Sequence, residues 1–357
     1  MSRFLIIGAG INGLTCAYRL LEAKHQVIIV SDRFPPFTTS NVAGALWEWP
    51  PAVCGFYDAK QSKDISLQKK WAEISYRKFY DLHKKELPTG VFLRKANFYF
   101  SSPVLANTEE AAKMNELKGI VLNFLHSESI VKKNEIADDK IVDAYQYLAP
   151  MVDTDTYLQW MVDHLTSKGA ILRTQKIERN LSEEAHRLKS KNEVDLVINC
   201  TGLGAYDLCD KTVFAVKGGL LRLRNYDNSG NQILEAHCTS INSEDENEFN
   251  YIVPRGKDSL VIGGYAIPMR DHTEQSLLEE QFYSGLFARN CRFYPPLANF
   301  TIPLDPGGIT GYRPYREDGI RLEKDREVDF LIHNYGHGGS GVLLSWGCAD
   351  EVLKLCS

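Results

Sequence analysis

The chain has no Cys-x-x-Cys pair, no apolar run long enough to cross a bilayer, no internal repeat and no low-complexity segment. Its eight cysteines, at positions 16, 54, 200, 209, 238, 291, 348 and 356, lack the tight spacing of a disulfide-built secreted scaffold. A reducing compartment fits them, and the expected location is cytoplasmic. An excess of one charge is also missing. Lys and Arg number 41 against 46 Asp and Glu, a formal net charge of -5, so nothing electrostatic calls for nucleic acid or an anionic membrane. The expected partner is a small molecule. The apolar N-terminus is interrupted by a glycine-rich turn and Asn12 and has no clean cleavage site, so no signal peptide is expected. The closing "LCS" is a poor peroxisomal address.

What is present begins with size. At 357 residues and 44% hydrophobic, the chain can bury a large core in about two domains. Phe4 to Ile7 is a short apolar run, followed by Gly8, Gly10 and Gly13, an amphipathic stretch to about Lys24, and a second apolar run, Val27 to Val30, ending at Ser31-Asp32. This order predicts strand, tight turn, helix, strand. Gly8-x-Gly10-x-x-Gly13 in that context is the dinucleotide fingerprint: Gly8 permits the turn, Gly10 lets backbone approach a pyrophosphate, and Gly13 lets helix and strand pack closely. The helix N-terminus, from Ile11 and Asn12, faces the phosphates. Asp32 would accept from a ribose hydroxyl. The fingerprint alone does not separate a nicotinamide from a flavin cofactor.

Further along, helical spacing is expected over Leu67 to Lys85 and over Thr154 to Lys168, and strands at Asp195 to Asn199, Tyr251 to Pro254 and Leu260 to Ile262. The polar run 240 to 250 reads as an exposed loop. His333 and His337, four apart, have the spacing of two metal ligands on one helical face. The glycines at 336, 338 and 339 argue against a regular helix there, so no metal site is expected.

Three stretches reach beyond the fingerprint: "SDRFPPFTTSNVAGALWEWP" (31 to 50), "GYRPYREDGIRLE" (311 to 323) and "IHNYGHGGSGVLLSWGCA" (332 to 349). In this order, with "NCTG" (199 to 202) and "YIVPRG" (251 to 256), they resemble the D-amino-acid oxidase family of flavoproteins, which includes D-aspartate oxidase and is related more distantly to glycine oxidase. The resemblance implies FAD as cofactor. It places Asp32, Arg33 and Ile177 at the adenosine end, and Thr38, Thr39 and Ser40 along the middle. Gly44, Ala45 and Leu46 lie beside the isoalloxazine, with Thr201 and Gly202 as neighbours. It also lays Gly338, Gly339, Gly341, Val342 and Leu343 against the flavin and has His333 and His337 hold that segment.

For the substrate, the resemblance makes Arg313 a carboxylate clamp, Tyr251 a second donor to the same carboxylate, and a carbonyl near Gly339 the partner of the amine. A planar guanidinium suits that role because it can give a carboxylate two parallel hydrogen bonds. Two departures stand out. A lid tyrosine of some members falls here at Asn247, within the loop 236 to 250. The arginine with which D-aspartate oxidases hold a second carboxylate falls at Ala266, with Tyr265 one position away.

The fold expected is α/β: a Rossmann-type FAD-binding domain (1–50, 150–204 and 300–357) with an inserted α+β substrate domain containing a mostly antiparallel sheet (51–149 and 205–299). The function expected is FAD-dependent oxidative deamination of D-amino acids with neutral side chains, using oxygen and yielding 2-oxo acid, ammonia and hydrogen peroxide. Alternatives are a glycine or secondary-amine oxidase, or a D-aspartate oxidase, of the same fold. A nicotinamide dehydrogenase and a non-catalytic flavin or metal-binding protein are the readings from other classes. The resemblance also admits a homodimer.

Overall fold

The computed structural model describes residues 1–49, 65–239, 248–269, 280–301 and 308–356. Asn247, Cys54 and residues 240–247 of the expected lid loop lie outside them.

The first sheet has six strands in the order Arg321–Lys324, Leu331–Tyr335, Leu196–Asn199, Arg3–Ile7, Gln26–Ser31, Ile171–Thr174, all neighbours parallel except the first pair. Alternate residues feed opposite faces. Phe4, Ile6, Val27 and Ile29 enter one core with the helices Ile11–Glu22 and Thr154–Ser167. Leu5, Ile7, Ile28 and Val30 enter another with the helix Leu181–Asn192. Covering both faces explains why these strands read as unbroken apolar runs, each buried side chain contributing about 1.5–3 kcal/mol. The helix Gly341–Leu355 joins the first core through Trp346 and crosses the helix Ser66–Lys84 so closely that a Cβ on Gly347 would lie 2.3 Å from the Trp71 Cα.

The second sheet is nine-stranded and mostly antiparallel. Its long strand Val213–Arg224 pairs with Ser259–Tyr265 and Ile267–Met269, and with Gly308–Arg316. Ser259–Tyr265 continues through Glu248–Val253 to Ala236–Thr239, which runs parallel to Val91–Phe100. By its hydrogen bonds, the strand Gly308–Arg316 belongs to this second sheet, not with the nucleotide-binding segments to which residues 300–357 are assigned above. Asp143–Val152 likewise pairs with Val91–Phe100, so the second sheet takes in the first three residues of the segment expected to begin at 150. The predicted helices appear within two residues of their expected limits.

Candidate active site

A cavity of about 1240 Å³ opens along the C-terminal ends of the first sheet and continues onto the second. That exceeds the ~300–1,000 Å³ of pockets for drug-sized ligands and suits an extended cofactor together with a substrate. Every cofactor-binding and substrate residue expected from sequence lines it except Gly13. Gly13 acts one layer behind: a Cβ there would lie 2.0 Å from the Gly8 carbonyl oxygen, so its role is close helix–strand packing. Gly8 is itself required, with φ +109° and its Cα turned against the Cys200 carbonyl.

The loop after the second strand is fixed from several sides. Ser40 Oγ accepts the Ile11 N–H at 3.0 Å, tying the loop to the start of the first helix. Behind it, the buried Arg255 donates to the carbonyls of Ala43 (2.9 Å) and Asn41 (3.3 Å), while Asn41 Nδ2 donates to Asp155 at 2.9 Å. Asp155 also takes Arg222 at 2.7 Å. Past Ala45, whose φ is +57°, the chain runs antiparallel beside Asp143–Val152, Leu46 bridging Met151 and Trp47 N–H donating to the Pro150 carbonyl at 2.9 Å.

Among the described residues, four buried polar atoms of cavity-lining residues have no partner in the protein: Asn12 Oδ1, Asn334 Oδ1, His337 Nε2 and Ser340 Oγ. Neither Gly10 nor Ser340, which cap the helices Ile11–Glu22 and Gly341–Leu355, supplies a side-chain cap. A ligand with donors for the amide oxygens, acceptors for the remaining groups and an anionic end meets both needs, since open helix N-termini favour negative charge. These residues therefore fit FAD.

Each imidazole of the C-terminal segment takes protein partners. His333 meets Asp325 through Nε2 (2.9 Å) and Asn199 through Nδ1 (3.1 Å), and His337 Nδ1 meets Asn12 at 3.2 Å. Burial pushes the His337 pKa down to about 3, so this ring is neutral over the working pH range. Arg316 and Arg321 are structural, the first on Asp210 (2.7 Å) and the second on Glu323 (2.9 Å).

At the far end, Tyr251 and Arg313 arrive from different strands. The Leu46 N–H donates to the Tyr251 hydroxyl at 3.3 Å, and the ring fits because residue 44 is glycine: a Cβ there would sit 2.6 Å from that oxygen. Burial raises the Tyr251 pKa, keeping its proton. Arg313 Nη1 donates to the Tyr265 carbonyl at 3.2 Å. Ala266 lines the cavity, whereas the Tyr265 ring packs edge-on against Phe282. Two residues of this end were not singled out from sequence: Gly218, against which the Arg313 guanidinium lies, and Glu48, a cavity-lining carboxylate.

Residues 3–355 match the model of the family described as FAD dependent oxidoreductase. A D-amino-acid oxidase of Dictyostelium discoideum is 30% identical, the match covering 98% of this chain and 90% of that protein. One from Streptomyces coelicolor is 28% identical over 99% and 96%. The structure of glycine oxidase from Geobacillus kaustophilus superposes with a TM-score of 0.73 at 17% identity, covering 99% of this chain and 95% of that one, and so shares the fold. With a match of this extent and a cavity that fits the cofactor, the chain belongs to the FAD-dependent oxidoreductase family.

Proposed function

We propose that the protein oxidatively deaminates D-amino acids, with Arg313 and Tyr251 binding the substrate carboxylate. The observation that carries this reading is the convergence of those two side chains, from strands Gly308–Arg316 and Glu248–Val253, at the end of the cavity lined by the glycine-rich cofactor segments. The net reaction takes the amino acid, oxygen and water to a 2-oxo acid, ammonia and hydrogen peroxide. FAD, when bound, supplies the two-electron acceptor between substrate and oxygen.

The chain's own contribution is positioning. The Tyr251 oxygen already accepts from Leu46, which leaves its O–H free to donate outward. Arg313 keeps donors beyond the one given to Tyr265, enough for a two-point grip on a carboxylate. The Gly339 carbonyl is the partner for the amine. His337, held neutral and weakly basic by burial, is a poor proton acceptor, so orientation carries most of the rate. The same clamp would hold glycine or a secondary amine. A second carboxylate finds no arginine at Ala266, which disfavours D-aspartate.

The Arg313→Ala variant tests the assignment. It should keep FAD and raise KM by about 10- to 100-fold, the loss of a charge-assisted hydrogen bond. Unchanged KM and kcat would remove Arg313 from the site.

A further inference from the structure

Resting on that reading, we infer that Glu48 selects the substrate side chain, making this an oxidase of cationic D-amino acids such as D-lysine and D-arginine rather than of neutral or acidic ones. The segment around Glu48 sets its direction. Ala45 and Trp47 make the backbone bonds to Asp143–Val152, and Trp47 sends its ring behind the segment, Nε1 donating to the Ala72 carbonyl at 3.0 Å. In extended chain the next side chain points the other way. Glu48 therefore shares a side with Leu46, and both line the cavity beside Tyr251.

The neighbours of this carboxylate define its use. No ion-pair partner within 4 Å is found for it among the described residues, and the basic group that acts on it through the field is Arg313, which the substrate carboxylate occupies. Lys113 lines the same cavity but is paired with Glu110 at 2.8 Å. Phe98, Tyr145 and Phe249 supply aromatic walls. An alkyl chain ending in a cation can pack along such rings and place its charge at a carboxylate. A second carboxylate would instead meet the like charge of Glu48, with Lys113 already paired to Glu110. Burial also raises the Glu48 pKa to about 7, against the pull of Arg313, the mark of a carboxylate that gains by receiving a cation.

The test uses the full-length, flavin-loaded protein and its Glu48→Gln and Glu48→Asp variants, mixed anaerobically with D-lysine, D-arginine, D-methionine and D-glutamate while flavin absorbance is followed. The wild type should prefer D-lysine or D-arginine to D-glutamate. In Glu48→Gln the ratio, for D-lysine over D-methionine, of the flavin-reduction rate constant divided by the apparent Kd should fall by about 10- to 100-fold, the size of a charge-assisted interaction. The apparent Kd for D-lysine, read from the concentration dependence, should rise with it, and Glu48→Asp should restore part of the ratio. An unchanged ratio, a loss equal for all substrates, or a preference for D-glutamate or D-methionine in the wild type would overturn the role of Glu48 while leaving D-amino-acid oxidation intact. Flavin that no D-amino acid bleaches would instead overturn the functional reading beneath it, and this inference with it.

Discussion

The Arg313 guanidinium lies across Gly218: a Cβ at position 218 would come within 2.4 Å of Nη1 and 2.8 Å of Cζ. The two residues are on paired strands, Gly218 opposite Gly311 and Arg313 opposite Val216. A methyl group at 218 would thus push the guanidinium without touching its charge. Gly218→Ala should keep FAD and lose at least about 10-fold in kcat/KM, since small misplacements of a positioning group can cost up to ~100-fold. Steady-state kinetics on the flavin-loaded variant checks this. A wild-type value would mean that the clamp does not depend on where Arg313 rests.

Gly338 has φ +55° and faces Tyr315, whose ring carbon a Cβ would approach to 2.5 Å. Gly230 also has positive φ, +84°, but nothing within 4 Å. Both Ala variants carry backbone strain of about 1–3 kcal/mol, yet only Gly338→Ala displaces the segment that lines the cofactor cavity. It should weaken FAD binding at least tenfold by flavin titration, while Gly230→Ala lowers the melting temperature alone. Equal flavin affinity in both variants would count against a flavin-holding role for residues 338–343.

Asp210 ties three elements together, accepting from Arg316 Nε (2.7 Å), the Tyr335 hydroxyl (2.9 Å) and Thr212 Oγ1 (2.6 Å). Burial opposes its ionisation, but these hydrogen bonds outweigh burial and hold the carboxyl well below the usual range. With the folded-state pKa depressed, its stabilisation is present above the unfolded value of about 3.9 and is lost as pH falls below that. Asp210→Ala should therefore cost on the order of 2 kcal/mol at pH 7 and noticeably less near pH 3, since a mostly buried arginine is left with only the exposed Asp318 (3.3 Å) as its ionic partner. Denaturant titrations at the two pH values measure the difference.

Glu48 gives the substrate preference a pH dependence of definite sign. Arg313, Tyr145, Tyr147, Cys238 and Tyr251 face it, and burial raises the tyrosine and cysteine pKa values, so they stay neutral through the window in which Glu48 titrates. Below its pKa of about 7 the carboxyl is neutral and offers a cation little. The D-lysine side chain stays charged, with a pKa of about 10.4. The D-lysine to D-methionine ratio of kcat/KM should thus rise with pH through neutrality in the wild type and stay flat in Glu48→Gln.

Local chemistry was legible in the sequence. The glycine fingerprint depends on steric rules spanning a few residues, and the helices Ser66–Lys84 and Thr154–Ser167 show their buried faces in their spacing. The C-terminal glycine segment was legible for the same reason. Arg313 and Tyr251 came only through family resemblance, because pairing of strands distant in sequence brings them together. The remaining features depend on such pairing and leave no local trace. Glu48 faces the cavity because residues 45–47 dock on Asp143–Val152, Gly218 matters because Gly308–Arg316 pairs with Val213–Arg224, and that same pairing moves the strand carrying Arg313 into the second sheet.

The central claim is D-amino-acid oxidation at the Arg313–Tyr251 end of a flavin cavity. Its most direct test is the visible spectrum of the purified, FAD-loaded protein before and after anaerobic addition of D- and then L-amino acids. The flavin bands should bleach with the D-enantiomer and not with the L-enantiomer, with D-lysine or D-arginine acting at the lowest concentration. A flavin bleached only by L-amino acids, or by none, would contradict the account.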